Sequence, residues 1–127
     1  MEIRRLKYYK YRYPKQIKSR RNKYGNKTCH CLADHWHASI KEADYCNQLY
    51  MLKKNGDIKD YEKEKDFDLC VNGIKVCVIR PDFMVWDKAG GLAVHEVKSY
   101  PTMTPVWNLK RKLFEACYPE IPYIVIK

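Results

Sequence analysis

The sequence predicts a mixed α/β or α+β domain built on one central sheet, behind a basic N-terminal arm. Three observations carry this reading. Asn72-Gly73 sits between two β-rich runs, the strongest short signal for a hairpin. Ser39-Ile40-Lys41-Glu42 and Thr104-Pro105 are helix openings on either side of the strand region. All of the net charge of +10 lies in the first 27 residues: eleven Lys and Arg stand against Glu2 there, and fourteen basic against fourteen acidic residues follow.

The elements follow in order. Residues 28–37 (TCHCLADHWH) read as a short hairpin or an extended lead-in. A helix starts at Ser39, carries Ile40, Ala43, Cys46, Leu49 and Tyr50 at helical spacing, and stops at Gly56. Asp57 to Lys65 reads as a solvated connector. Phe67–Val71 and Ile74–Ile79 form the Asn-Gly hairpin, Asp82–Trp86 a third strand, and Lys88-Ala89-Gly90-Gly91 turns the chain into Leu92–Lys98. A second helix runs from Thr104-Pro105 to about Cys117, with Val106, Leu109, Leu113 and Cys117 as its buried side, and Pro122–Lys127 closes with a strand.

A chain of 127 residues, 46% hydrophobic and 31% charged, suits one globular body with enough apolar material for a core. No run of 18 apolar residues is present, and the opening MEIRRLKYYK lacks the apolar region of a secretory signal. A cytoplasmic protein with reduced thiols is expected. The arm suits a polyanion: cations bind phosphates by counterion release, and Tyr8, Tyr9, Tyr11, Tyr13 and Tyr24 can stack on exposed bases. Arg4, Arg5, Lys7, Lys10, Arg12, Lys18, Arg20, Arg21 and Lys23 are its candidate contacts; a purely solubilising tail is the alternative. No amphipathic stripe points to a membrane surface.

Asp82, Glu96 and Lys98 carry the candidate chemistry. Glu96 and Lys98 share one face of their strand, and His95 and Val97 point the other way. Pairing Trp86 with Leu92 would set Asp82 opposite Glu96, with Cβ atoms about 5 Å apart. Two carboxylates that close call for a cation between them, Mg²⁺ first, with Lys98 beside it; a cross-strand salt-bridge cluster is the other reading. Lys110, Arg111 and Lys112 could grip a phosphodiester backbone or simply form a solvated helix face.

Pro81-Asp82, then Glu96-Val97-Lys98 after thirteen residues, resembles the PD-(D/E)XK nuclease signature. Tyr24-Gly25-Asn26-Lys27, Ser39 to Ala43, Arg80 to Phe83, His95 to Lys98 and Lys110 to Glu115 together resemble a family of small phage and prophage proteins described as nuclease-like, over roughly residues 24–127. The resemblance implies a restriction-endonuclease-like core, a central mixed β-sheet flanked by helices, over residues 28–127 behind the arm at 1–27. It implies Asp82 and Glu96 as metal ligands with the Val97 carbonyl, Lys98 as the catalytic lysine, and Glu42 as a further site acid; Glu42 also fits a plain helix cap. The expected function is a Mg²⁺-dependent DNA endonuclease (Mn²⁺ as substitute), acting on branched or double-stranded DNA in phage recombination or replication. By analogy it resembles Holliday-junction resolvases, as a homodimer in the host cytoplasm. A non-catalytic nucleic-acid-binding protein working through the arm is the alternative.

Cys29-His30-Cys31 with His35 and His37 contains the ligand types of a four-coordinate zinc site, but the spacing is not the common C-x₂-C type, and strand alternation sets His30 opposite Cys29 and Cys31. In the resembling family this segment is a plain strand pair. Zinc is not expected on this reading, and Cys46, Cys70, Cys77 and Cys117 are expected to be reduced core residues.

Overall fold

A computed structural model describes residues 29–127 of the chain. The arm expected at 1–27, with all its candidate contacts, lies outside the described residues. The fold is α+β: the described residues form eight strands, two α-helices and a short 3₁₀ turn, and include a mixed four-stranded sheet. The chain divides into two compact units, one ending at Tyr50 and one spanning Met51–Lys127.

In the first unit β1 (Cys29–His30) pairs antiparallel with β2 (Trp36–His37), His30 opposite Trp36, so the expected hairpin is present. Its connection is tight: the Asp34 N–H donates to the Cys31 carbonyl at 3.1 Å, the Cys31 N–H to the His35 carbonyl at 3.0 Å, and Asp34 adopts φ 65°. Aspartate tolerates this left-handed backbone better than most residues. The helix α1 (Ile40–Lys54) follows. Ser39 Oγ accepts from the Glu42 N–H at 3.2 Å, one half of the expected capping pattern. The helix ends as Gly56 permits: at φ 78° its N–H reaches the Lys53 carbonyl, and the Asp57 N–H reaches Leu52, closing two orphan carbonyls.

The second unit contains the four-stranded sheet, ordered β3 (Ile58–Lys63), β6 (Phe83–Asp87), β7 (Leu92–Val97), β8 (Tyr123–Ile126). The central strands β6 and β7 are almost continuously buried. They pair antiparallel with Trp86 opposite Leu92, the register the sequence predicts. The strand β3 corrects the expectation of a solvated connector. Its lysines and acids hid it, yet Ile58 is buried and Tyr61 pairs with Val85 across an antiparallel ladder. Charged side chains are what an edge strand carries to resist pairing with another chain.

At the other edge β8 runs parallel to β7, which requires a crossover, and α2 (Pro105–Cys117) supplies it. Thr104 Oγ accepts from the Trp107 N–H at 3.2 Å, with Pro105 in the first turn, as the sequence predicts. The buried face differs. Val106 and Leu109 are exposed, whereas Trp107 and Phe114 are buried. The two aromatics stand seven residues apart on one helical face, and their larger surface sets the helix rotation.

The Asn72-Gly73 hairpin, β4 (Phe67–Val71) with β5 (Ile74–Ile79), forms a separate two-stranded sheet, so the expectation of one sheet is corrected. Phe114 joins it to the rest. Its ring centroid lies 5.2 Å from that of Phe67 and 5.3 Å from that of Tyr123, within a core of Leu69, Ile79, Met84 and Val94.

Candidate active site

The site residues stand where β6 begins and β7 ends. Asp82 lies one residue ahead of β6, beyond the last pair, Phe83 with His95. Its backbone continues the sheet on the other side, because the Glu64 N–H donates to the Asp82 carbonyl at 3.0 Å. Its carboxylate is turned toward β7, where Oδ2 accepts from the Val97 N–H at 2.8 Å. Asp82 is thus fixed by a main-chain bond and by a side-chain bond to the strand that carries Glu96. The preceding segment is clamped as well. Arg80 makes a forked pair with Asp66, Nε to Oδ1 at 2.6 Å and Nη2 to Oδ2 at 3.0 Å, which holds the Asp66 carboxyl below its ordinary value.

Glu96 is almost fully buried, at 6% exposure, on the face expected from alternation. Lys98 Nζ lies 3.2 Å from its Oε1, and the Tyr123 hydroxyl donates to its Oε2. A buried carboxylate needs such partners, since leaving its charge unmatched would cost several kcal/mol, roughly. Burial first, then the negative charge of Glu96, keeps the Tyr123 phenol well above its ordinary value, so it stays a donor; Asp82 contributes in the same direction. Lys98 Nζ also sits 5.0 Å from the centroid of the Trp107 ring, and the Arg111 guanidinium 5.5 Å from the same ring. On the opposite face of β7, His95 is fully buried, and burial pushes its imidazole down to about 4. It is therefore neutral at pH 7.

Asp82, Glu96, Val97 and Lys98 are thus brought together in the second unit. Glu42 stands half-buried in the first turn of α1, in the first unit. Of the basic triplet on α2, only Lys112 is fully exposed; Lys110 is half-buried, and Arg111 is half-buried beside Trp107. The sequence reading missed Tyr123 and Trp107. Tyr123 reaches Glu96 because β8 aligns parallel to β7 with Val125 opposite Glu96, and a parallel register leaves no turn motif to read.

The cysteines fall differently from expectation. Cys70 is exposed, against expectation, whereas Cys77 and Cys117 are half-buried and pack against the core of Leu69, Ile79, Met84, Val94 and Phe114. Cys46 is buried, but in a cluster with Cys31, His35 and His37, whose ligand-type atoms all lie within 4.8 Å of one another. The sequence reading grouped Cys31, His35 and His37 with Cys29 and His30 and set Cys46 among the core thiols; in the structure Cys46 reaches the cluster from α1. His30 is instead paired with Asp34, Nε2 to Oδ1 at 2.8 Å.

The fold and site together define an α+β chain with two acids and a lysine gathered at one end of adjacent central strands. The chain belongs to the family described as a protein of unknown function, DUF1064, whose model matches residues 21–127. No curated protein and no solved structure matches it. Among the described residues, no helix is long and apolar enough to cross a membrane.

Proposed function

We propose that the chain is a metal-dependent DNA endonuclease with a PD-(D/E)XK site at Asp82, Glu96 and Lys98. The observation that carries this reading is the convergence of a fixed Asp82 carboxylate, a buried Glu96 carboxylate and the Lys98 ammonium 3.2 Å from Glu96. A solvated salt-bridge cluster does not require a carboxylate at 6% exposure.

The donor set fits a hard divalent cation. Asp82, Glu96 and the Val97 carbonyl offer oxygen only, the preference of Mg²⁺ and Mn²⁺. Such an ion supplies a water of lowered pKa and stabilises charge on a phosphate oxygen. The protein's own part is positional. The Val97 N–H and the Glu64 N–H hold Asp82, so its carboxylate does not have to reorganise on binding. Tyr123 orients Glu96 by its hydrogen bond. Lys98, steadied by Glu96 and the Trp107 ring, keeps a positive charge where a scissile phosphate would develop negative charge. The basic arm would hold the DNA, with affinity falling steeply in salt.

Branched DNA is the substrate class this reading favours, by analogy with the Holliday-junction resolvases that the sequence resembles. The test is a panel of four-way junction, flap, and linear single- and double-stranded DNA with Mg²⁺, Mn²⁺ or EDTA. Paired metal-dependent nicks confined to the junction are expected. Cutting of every substrate would make it a general nuclease. Binding without cutting would leave the nucleic-acid-binding alternative.

A further inference from the structure

We propose that Cys31, His35, His37 and Cys46 form a structural Zn²⁺ site, built within the first unit and independent of the nuclease reading. Cys31 Sγ lies 3.5 Å from Cys46 Sγ, and Cys46 Sγ lies 3.5 Å from His35 Nδ1. A tetrahedral zinc centre, with bonds of about 2.3 Å to sulfur and about 2.0 Å to nitrogen, separates its ligand atoms by about 3.3–3.8 Å. The same sulfur separation far exceeds a disulfide bond of roughly 2.05 Å.

Local structure converges on this arrangement. The Cys31–Asp34 turn brings Cys31 and His35 to one end of the hairpin, and His37 follows on β2. Cys46 comes from α1, to which the turn is tied by the Leu32 N–H donating to Asn47 Oδ1 at 2.8 Å. Cys31, His37 and Cys46 are buried, so the centre would be shielded from solvent. Two thiols and two imidazoles without an oxygen donor select Zn²⁺ over Mg²⁺ or Ca²⁺. Binding forms two Zn–S and two Zn–N bonds and releases two thiol protons to solvent; the thiolates then neutralise the ion's charge. A small hairpin and helix whose buried apolar side chains, cysteines aside, are Ala43, Tyr45, Leu49 and Leu52 gains a cross-link in this way.

The full chain, purified reduced and without a histidine tag, should contain about one Zn²⁺ per molecule. Co²⁺ should replace it with the intense visible bands of a tetrahedral thiolate site. Cys46→Ser should lower the metal content roughly tenfold or more, whereas Cys29→Ser and His30→Asn should leave it unchanged. Because replacing a buried residue can unfold the chain, alkylation of the wild type is read in parallel. Zn²⁺ should protect Cys31 and Cys46 but not Cys70, and a chelator should remove the protection. A metal-free chain with a weak octahedral Co²⁺ spectrum would overturn the site. So would a Cys31–Cys46 disulfide in unreduced peptide maps, or protection that ignores the chelator.

Discussion

Glu96 is the residue on which the candidate site turns, because a carboxylate this buried depends on Lys98 and Tyr123 for its charge to be tolerated. Tyr123→Phe removes one of those partners without changing ring size. Hydrogen bonds to charged groups contribute about 1.5–3 kcal/mol, so urea unfolding should show a loss of that order. An unchanged midpoint would mean that Tyr123 does not support Glu96. The Asp66–Arg80 fork belongs to the same scale. The folded carboxyl is depressed, first by the hydrogen bond from Arg80, so its stabilising contribution is present above the unfolded value and lost as pH falls through the folded one. An NMR titration should place the Asp66 midpoint below 3.8, and Arg80→Gln should raise it; a wild-type midpoint at or above 3.8 would contradict the clamp. The placing of Asp82 beside Glu96 and Lys98 was legible in the sequence because a short hairpin fixes the register; Val97 entered through the resemblance alone. Tyr123 and Trp107 were not legible, since they arrive by a crossover and a helix rotation that no local motif encodes.

Among the elements, the turn between β6 and β7 decides whether the two acids meet. The Gly91 N–H donates to Asp87 Oδ1 at 2.8 Å, and a Cβ on Gly91 would come within 2.8 Å of Asp87 Oδ2. Gly90 adopts φ 87°, which a side chain resists. Gly90→Ala should therefore cost about 1 kcal/mol or more in thermal unfolding, and it should lower any cleavage through the displaced Asp82. Full stability in this variant would show that the turn does not set the register. The strand β3 was misread for a physical reason: its side chains follow the demands of a sheet edge, so its apolar signal is confined to Ile58 and half-buried Tyr61. The opposite error occurred on α2, where an aliphatic stripe was legible but two aromatics took the buried side.

For the whole molecule, the expectation of an α+β fold with a mixed sheet was met, while the separate β4–β5 sheet was not foreseen. A strand joins a sheet only by pairing its backbone with an edge strand; β4 and β5 pair with each other instead, and Phe67 packs on Phe114 of α2. The Cys/His cluster was half legible: Cys31, His35 and His37 stood out, but the fourth residue lies nine positions further on, in a helix. The same helix carries Glu42 one turn before Cys46, so a metal there would also steady that acid's backbone.

The central claim is that Asp82, Glu96 and Lys98 form a metal-dependent hydrolytic site. The most direct measurement is single-turnover cleavage of a labelled four-way junction by the wild type and by Lys98→Ala, in Mg²⁺ and in EDTA, with DNA binding measured on the same preparations. We expect cleavage by the wild type in Mg²⁺ alone, a loss of about 10²-fold or more in the variant, and unchanged binding by both. Equal cleavage by the two proteins, or no cleavage by either in Mg²⁺ or Mn²⁺, would contradict the claim.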